Sequence, residues 1–360
     1  ALGWAASAVW ATALAGSFGL RAFTAVPERG SEYRAVLPAV GDDPIGFLDS
    51  FAGTLRASPE AFPIHVRAHP PLPVLLFWAV RQVGLSGPYW AAAVIIAVGT
   101  AAVPAIMITA RSLAGEDTAR RAFPHLTLAP ALVFVAVSSD ALFLGISAWG
   151  VALLALAVCQ QSAARAAGLG VASGLAWGAL PYLSYGLLPL GALAVAVLLA
   201  RPAGSRVAAA ARLPILGAAA LAAMLAAAMV AVAFTAAGFW WFDGLAATHQ
   251  AWAAGEGSDR PYVYFLVASL ATLALLVGPG GAAGLARLRE PRLWSLVGAA
   301  LLGILALDLS GFTRGEVERI WLPFAFWVVL AAAALRPVRL WLGAQVATGL
   351  VVEAVVWSAW

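Results

Sequence analysis

Between Arg212 and Asp243 the chain carries no charged side chain. The same holds from Arg81 to Arg111, Asp140 to Arg165, Arg260 to Arg287 and Arg319 to Arg336. A helix rises about 1.5 Å per residue, so roughly 20 apolar residues cross the ~30 Å hydrocarbon core of a bilayer. Repeated uncharged runs of this length leave one economical fold class: an all-α, polytopic transmembrane helical protein. Composition agrees, with 63% of residues apolar and 11% charged, where soluble domains hold about 45–50% and about 25%. So few charges cannot cover such a core in water. That excludes a soluble enzyme, a disordered chain and a nucleic-acid-binding domain. The net charge of +4 does not indicate nucleic acid, because the basic residues fall in loops between the apolar runs. The single cysteine, Cys159, excludes a disulfide framework.

The apolar runs lie at 3–23, 88–110, 123–139, 141–159, 166–182, 185–200, 213–238, 262–284, 293–310, 320–335 and 338–357, which predicts about eleven spans. Residues 1–360 read as one transmembrane domain with no separate soluble domain. Alternate loops carry Arg111, Arg120 and Arg121; Arg165; Arg201, Arg206 and Arg212; Arg287, Arg289 and Arg292; Arg336 and Arg339. Short arginine-bearing loops stay in the cytoplasm. The opposite loops hold most of the carboxylates, among them Glu28, Glu32, Asp42, Asp43, Asp140, Asp243, Glu316 and Glu318. The polar chemistry is thus expected on the extracytoplasmic side.

Residues 24–87 form the longest polar stretch and the first extracytoplasmic loop. Within it Ile45, Phe47, Leu48, Phe51 and Leu55 follow helical spacing. The run 71–85 is apolar but short and fits an interfacial helix better than a span. Counting it as a span would invert the arginine asymmetry of every later loop. Long loops held on a rigid scaffold are where binding and catalytic residues concentrate.

Four motifs resemble a known family. They are Glu32-Tyr33 after the first span, His69-Pro70-Pro71-Leu72 opening the interfacial helix, Asp140 in the SSDAL turn, and Arg314 to Pro323 (RGEVERIWLP) in the last outer loop. Together they resemble the GT-C fold membrane glycosyltransferases, which use polyprenyl-phosphate sugars. The combination of HVRAHPPLPVLLFW, LSYG and GEVERIWLPF is most similar to actinobacterial integral membrane transferases such as the methylthioxylose transferase group. The acidic pair expected before the aromatic is here Ser31-Glu32, which leaves Glu32 and the Asp42-Asp43 pair both open as the catalytic carboxylate.

The resemblance implies a lipid-linked sugar donor, an acceptor hydroxyl on a glycan, lipoglycan or protein, and a multi-pass protein of the plasma membrane acting on its outer side. An attacking hydroxyl must lose its proton, and a placed carboxylate accelerates that step by about 10²–10⁴-fold. Glu32, Asp43 and Asp140 are the candidates. Charge grows on the departing phosphate, which His69, Arg319, Arg314 and Arg260 are placed to meet. Tyr33, Tyr182 and Tyr185 are candidates for the sugar or acceptor cleft. Asp42-Asp43 leaves room for a divalent cation, Mg or Mn. Each has a plainer reading: Asp140 as a helix cap, Arg319 as a partner of Glu316 or Glu318, the tyrosines as interface residues. The competing function is a transporter or flippase of lipid-linked sugars, which ordinarily carries internal repeats and charges deep in its spans. No such repeat is evident in this sequence.

Overall fold

The computed structural model describes residues 2–136, 138–200 and 209–355. Among them the chain is helical, with no strand. In chain order the principal helices are α1 (Leu2–Gly16), α2 (Pro44–Ala57), α3 (Leu72–Gln82), α4 (Pro88–Ala114), α5 (Glu116–Thr127), α6 (Asp140–Val158), α7 (Ala163–Leu183) and α8 (Tyr185–Leu199). They continue with α9 (Ala209–Ala236), α10 (Trp241–Ala253), α11 (Tyr262–Arg287), α12 (Pro291–Ser310), α13 (Leu322–Ala334) and α14 (Val338–Val355). Seven of these, α4, α6, α7, α9, α11, α12 and α14, are long and apolar enough to cross a membrane.

The remaining expected runs take shorter forms. α1 stops at Gly16, short of the run that extends to 23, and α8 and α13 are short apolar helices. The run 123–139 is not one helix: α5 ends at Thr127 and a 3-10 turn follows over Pro130–Phe134. Pro130 is the cause, since it supplies no backbone N–H and holds the residue before it, Ala129, extended, while Pro124 is accommodated inside α5. Of the arginines expected on the cytoplasmic side, Arg201 and Arg206 lie outside the described residues.

α6 is the central helix. Its apolar window is 78% buried, against 17% for α9 and α14. On α9, Leu221, Met224, Leu225, Met229 and Val232 remain exposed. Apolar surface of that extent belongs against lipid. With no hydrophobic drive between helices inside a bilayer, close approach depends on small residues. Gly170, Gly174 and Gly178 of α7 meet Ala219, Ala223 and Ala227 of α9 so closely that a Cβ on any of them runs into α9 backbone.

α11 is broken at Gly278, whose φ of 70° no ordinary helix residue adopts. Gln345 of α14 repairs the break. Its Nε2 donates to the Val277 carbonyl at 3.3 Å, and its Oε1 accepts from the Gly280 N–H at 3.2 Å.

The outer segment is fastened down by aromatic side chains. In α2, Phe47, Leu48, Phe51 and Leu55 are buried as their spacing predicts, whereas Ile45 is exposed. Phe51 stacks on Phe62 with centroids 4.9 Å apart and meets Phe239 edge-on at 5.8 Å. Trp78 of α3 donates to the Gly41 carbonyl at 2.9 Å. The Phe51–Phe239 contact holds α2 against the start of α10, and the other two fold the segment on itself.

Candidate functional site

Four stretches distant in sequence meet at the start of α6. Glu32 and Tyr33 come from the outer segment, where Glu32 precedes a 3-10 turn over Tyr33–Val36. His65 lies in a single turn, Ile64–Arg67, and His69 follows it just before Pro70-Pro71. Ser138, Ser139 and Asp140 open α6. Glu316 precedes the short turn Val317–Ile320 ahead of α13, and Arg319 lies within it. Glu32, Tyr33, His65, His69, Ser138, Ser139, Asp140 and Arg319 are all buried.

Their side chains form two hydrogen-bonded groups, one around Glu32 and one around Arg319, that line one small space. His65 Nδ1 stands 2.7 Å from Glu32 Oε1, and the Ser139 hydroxyl donates to Glu32 Oε2 at 3.3 Å. The Ser138 hydroxyl donates to Asp140 Oδ2 at 3.0 Å, and Arg319 donates to the same oxygen at 2.6 Å. A second nitrogen of Arg319 donates to Glu316 Oε2 at 2.5 Å. The other oxygen of Glu316 accepts from Arg260 at 3.1 Å. Glu316 makes both bonds from a left-handed backbone, φ 60°, with Gly315 beside it at φ 89°. Such a conformation costs a non-glycine residue about 1–2 kcal/mol. The space enclosed by Glu32, Tyr33, His65, Ser138, Ser139, Asp140 and Arg319 is too small for a water molecule.

Burial sets the protonation states. The His69 imidazole is pushed down to about 4, chiefly by desolvation, with Arg319 adding to the effect and Asp140 opposing it. It is therefore neutral near pH 7. Its Nδ1 lies 2.8 Å from the His65 carbonyl oxygen. A carbonyl only accepts, so Nδ1 carries the proton and Nε2 carries the lone pair. Burial, reinforced by Asp140, raises the Tyr33 phenol well above its ordinary value. Its hydroxyl is a buried donor with no partner among the described residues. Burial alone pushes the Glu316 carboxyl up, but the guanidiniums of Arg319 and Arg260 reverse this and hold it below the usual carboxylate range. Burial alone likewise lowers Arg319, and the carboxylates of Asp140 and Glu316 more than offset it. Asp140 and Glu316 bring two carboxylates to the buried Arg319 guanidinium, and Glu32 lines the same small space.

The residues singled out from sequence divide into three groups. Glu32, Tyr33, His69, Asp140 and Arg319 come together. Asp140 opens α6, but its carboxylate is taken by Ser138 and Arg319. Arg319 does bond Glu316, and it bonds Asp140 as well. Arg260 and Arg314 stand at the edge, where they join two outer loops. Arg260 donates to the Arg314 carbonyl at 2.6 Å, and Arg314 donates to the carbonyls of Ser258 and Arg260 at 2.9 and 3.1 Å. The Arg314 guanidinium also lies over the rings of Trp252 and Tyr262.

Asp43, Tyr182 and Tyr185 lie elsewhere. Asp43 is exposed and caps α2, accepting from the Gly46 N–H at 2.8 Å. Asp42 beside it is exposed. Among the described residues no three His, Cys, Asp or Glu side chains gather to hold a metal ion. Tyr182 stacks on Phe234 at 3.9 Å, and Tyr185 meets Trp241 edge-on at 5.4 Å. Both belong to an aromatic cluster apart from the Glu32 network.

His65, Ser138 and Ser139 join the network without having been singled out by their spacing. The signal for His65 was its place four residues before His69. That spacing brings two side chains to one side of a turn. No protein-family model matches the chain, and none of the curated proteins or solved structures does either.

Proposed function

We propose that this chain is a membrane glycosyltransferase of the GT-C type. It moves a sugar from a polyprenyl-phosphate-linked donor to an acceptor hydroxyl of an envelope glycan, lipoglycan or protein on the extracytoplasmic side of the plasma membrane. One observation carries the reading: Glu32, Asp140 and Arg319 line one small buried space at the start of α6, although Asp140 and Arg319 stand 179 positions apart. Ionisable groups at such a depth are costly, and they are characteristically functional.

The chemistry follows from the residues. The acceptor oxygen attacks the anomeric carbon while its proton passes to a Glu32 oxygen. The bond from that carbon to the phosphate oxygen breaks. The electron pair leaves with the polyprenyl phosphate, where the charge of Arg319 meets it. One displacement inverts the anomeric centre. His65 and Ser139, each bonded to one Glu32 oxygen, fix the carboxylate's orientation. The network as it stands is closed and without room for a sugar. Donor entry therefore exchanges the Asp140 or Glu316 carboxylate on Arg319 for a phosphate oxygen, one anion for another. The 3.3 Å bond from Ser139 to Glu32 is the long contact between the outer segment and α6, and it is the one expected to open.

The full chain in liposomes, given polyprenyl-phosphate hexose and pentose donors, tests the reading. Wild type transfers the sugar, and Glu32→Gln loses about 10²–10⁴-fold while melting with wild type. Full transfer by Glu32→Gln removes Glu32 as the base. Movement of the donor across the bilayer with no transfer, abolished by the same substitution, would replace the enzyme with a transporter or flippase.

A further inference from the structure

The arginine-bearing end of the helices holds a cleft that the network above does not use. Asp117, Arg120, Arg121 and Pro124 follow one another along one face of α5. With Arg336 and Val338 at the start of α14 they line an open space of about 440 Å³. Three guanidiniums and one carboxylate give the lining an excess of positive charge. Arg120 already bonds Glu116 at 3.0 Å. Arg121 and Arg336 have no carboxylate partner among the described residues. Arg121 reaches only the Thr118 hydroxyl, at 3.4 Å, and its Nε is buried without a hydrogen-bond acceptor. A buried donor left unpaired costs free energy that an incoming acceptor recovers.

Guanidinium forks fit phosphate oxygens in pairs and never lose their charge. The cleft has the volume of a small-ligand pocket, and Pro124 and Val338 give it apolar walls. It also adjoins lipid. α14 is largely unburied along its apolar window, and Leu340, two residues beyond Val338, is exposed. Basic pockets between helices at this side of a membrane are suited to anionic headgroups. Asp117 narrows the choice. A carboxylate in the lining repels a doubly charged phosphate monoester and accepts from hydroxyls, so a singly charged phosphodiester bearing hydroxyl groups fits better than inorganic phosphate. We propose that this cleft binds the phosphodiester headgroup of an anionic phospholipid, with Arg121 and Arg336 as its ligands and Arg120 at the rim.

Native mass spectrometry of the purified full chain tests this with three probes: dioleoylphosphatidylglycerol, dioleoylphosphatidylcholine and sodium phosphate. Wild type retains phosphatidylglycerol in preference to phosphatidylcholine. Arg121→Gln and Arg336→Gln each weaken that retention about ten-fold. Arg165→Gln, at the same end but outside the cleft, leaves it unchanged. If Arg121→Gln does not fold, Arg336→Gln at its exposed position carries the test alone. Equal retention of phosphatidylglycerol by all variants overturns the proposal. Displacement of the lipid by inorganic phosphate at equal concentration overturns the lipid source and leaves phosphate itself as the ligand.

Discussion

Arg319 donates to Asp140 at 2.6 Å, and both side chains are buried. The same guanidinium also holds Glu316, so the loop before α13 is tied to the start of α6 through one charge. Removing one member of a buried pair leaves the other uncompensated and costs about 3–5 kcal/mol. Asp140→Asn and Arg319→Gln are each expected to lower unfolding stability in detergent by that order. The double variant, with neither charge left, should lose less than the sum. A double-mutant cycle measures the difference, and strict additivity would remove the coupling.

His69 gives the network a pH dependence of known sign. Its folded-state value of about 4 lies below the ordinary 6.5 of an imidazole. Between those two values the unfolded chain binds a proton that the folded chain refuses, so stability rises with pH across the window. The His69 contribution is full above pH 6.5 and is lost as pH falls toward 4. Glu316, also lowered, acts in the same direction at more acid pH. His69→Asn keeps an N–H to offer the His65 carbonyl but cannot titrate. Its melting temperature should therefore fall less than that of wild type between pH 7 and pH 4. Parallel curves for the two proteins would mean that His69 does not refuse the proton.

Much of this was legible in the chain. Uncharged runs bounded by arginines located the long helices, because the hydrocarbon thickness fixes how many apolar residues a span needs. The same reasoning joined 123–139 into one run, since hydropathy ignores the missing N–H of Pro130 and the extended residue before it. Glu32, His69, Asp140 and Arg319 stood out as polar groups next to spans. Asp43 stood second to Glu32 as the base, and only the fold shows its carboxylate spent on the Gly46 N–H. The Ser139–Glu32 bond spans 107 positions, and such pairing is invisible to local spacing. The Gly170, Gly174 and Gly178 row is not among the features singled out above, and the fold brings it to notice by seating it on α9 backbone.

Asp43 and Glu32 should separate cleanly. Asp43→Ala removes an N-cap acceptor, which costs about 0.5–2 kcal/mol, and leaves sugar transfer near wild type. Glu32→Gln does the reverse. Transfer and melting temperature measured on the same preparations decide the matter, and a transfer defect in Asp43→Ala at full stability would return Asp43 to the catalytic set.

The α7–α9 crossing predicts a steric failure. At Gly174 a Cβ would sit within bonding crowding of the Ala223 backbone, and helix backbone cannot yield as a side-chain tip can. Gly174→Leu forces the helices apart, at a cost of about 1–3 kcal/mol or more. The expected result is a lower melting temperature and a lower yield of monodisperse protein. Gly168→Leu, whose Cβ meets nothing, should behave as wild type. If both behave alike, the crossing is looser than the glycine row implies.

Gln345 tests whether the break in α11 depends on α14. Its amide closes both backbone groups that Gly278 and Pro279 leave open, donating to Val277 and accepting from Gly280. Gln345→Leu is similar in size but satisfies neither group, and each buried polar atom left unpaired costs about 1–3 kcal/mol. Adding Gly278→Ala does not rescue it, because the positive φ persists and a Cβ there meets Pro130. Gln345→Glu, as the protonated acid, keeps the acceptor for Gly280 and replaces the amide donor to Val277 with a single O–H. Stability should fall in the order wild type, Gln345→Glu, Gln345→Leu if the protonated acid forms at this buried position. Amide hydrogen exchange at Gly280 should speed up in the leucine variant. Unchanged exchange there would mean that the broken helix holds its shape without Gln345.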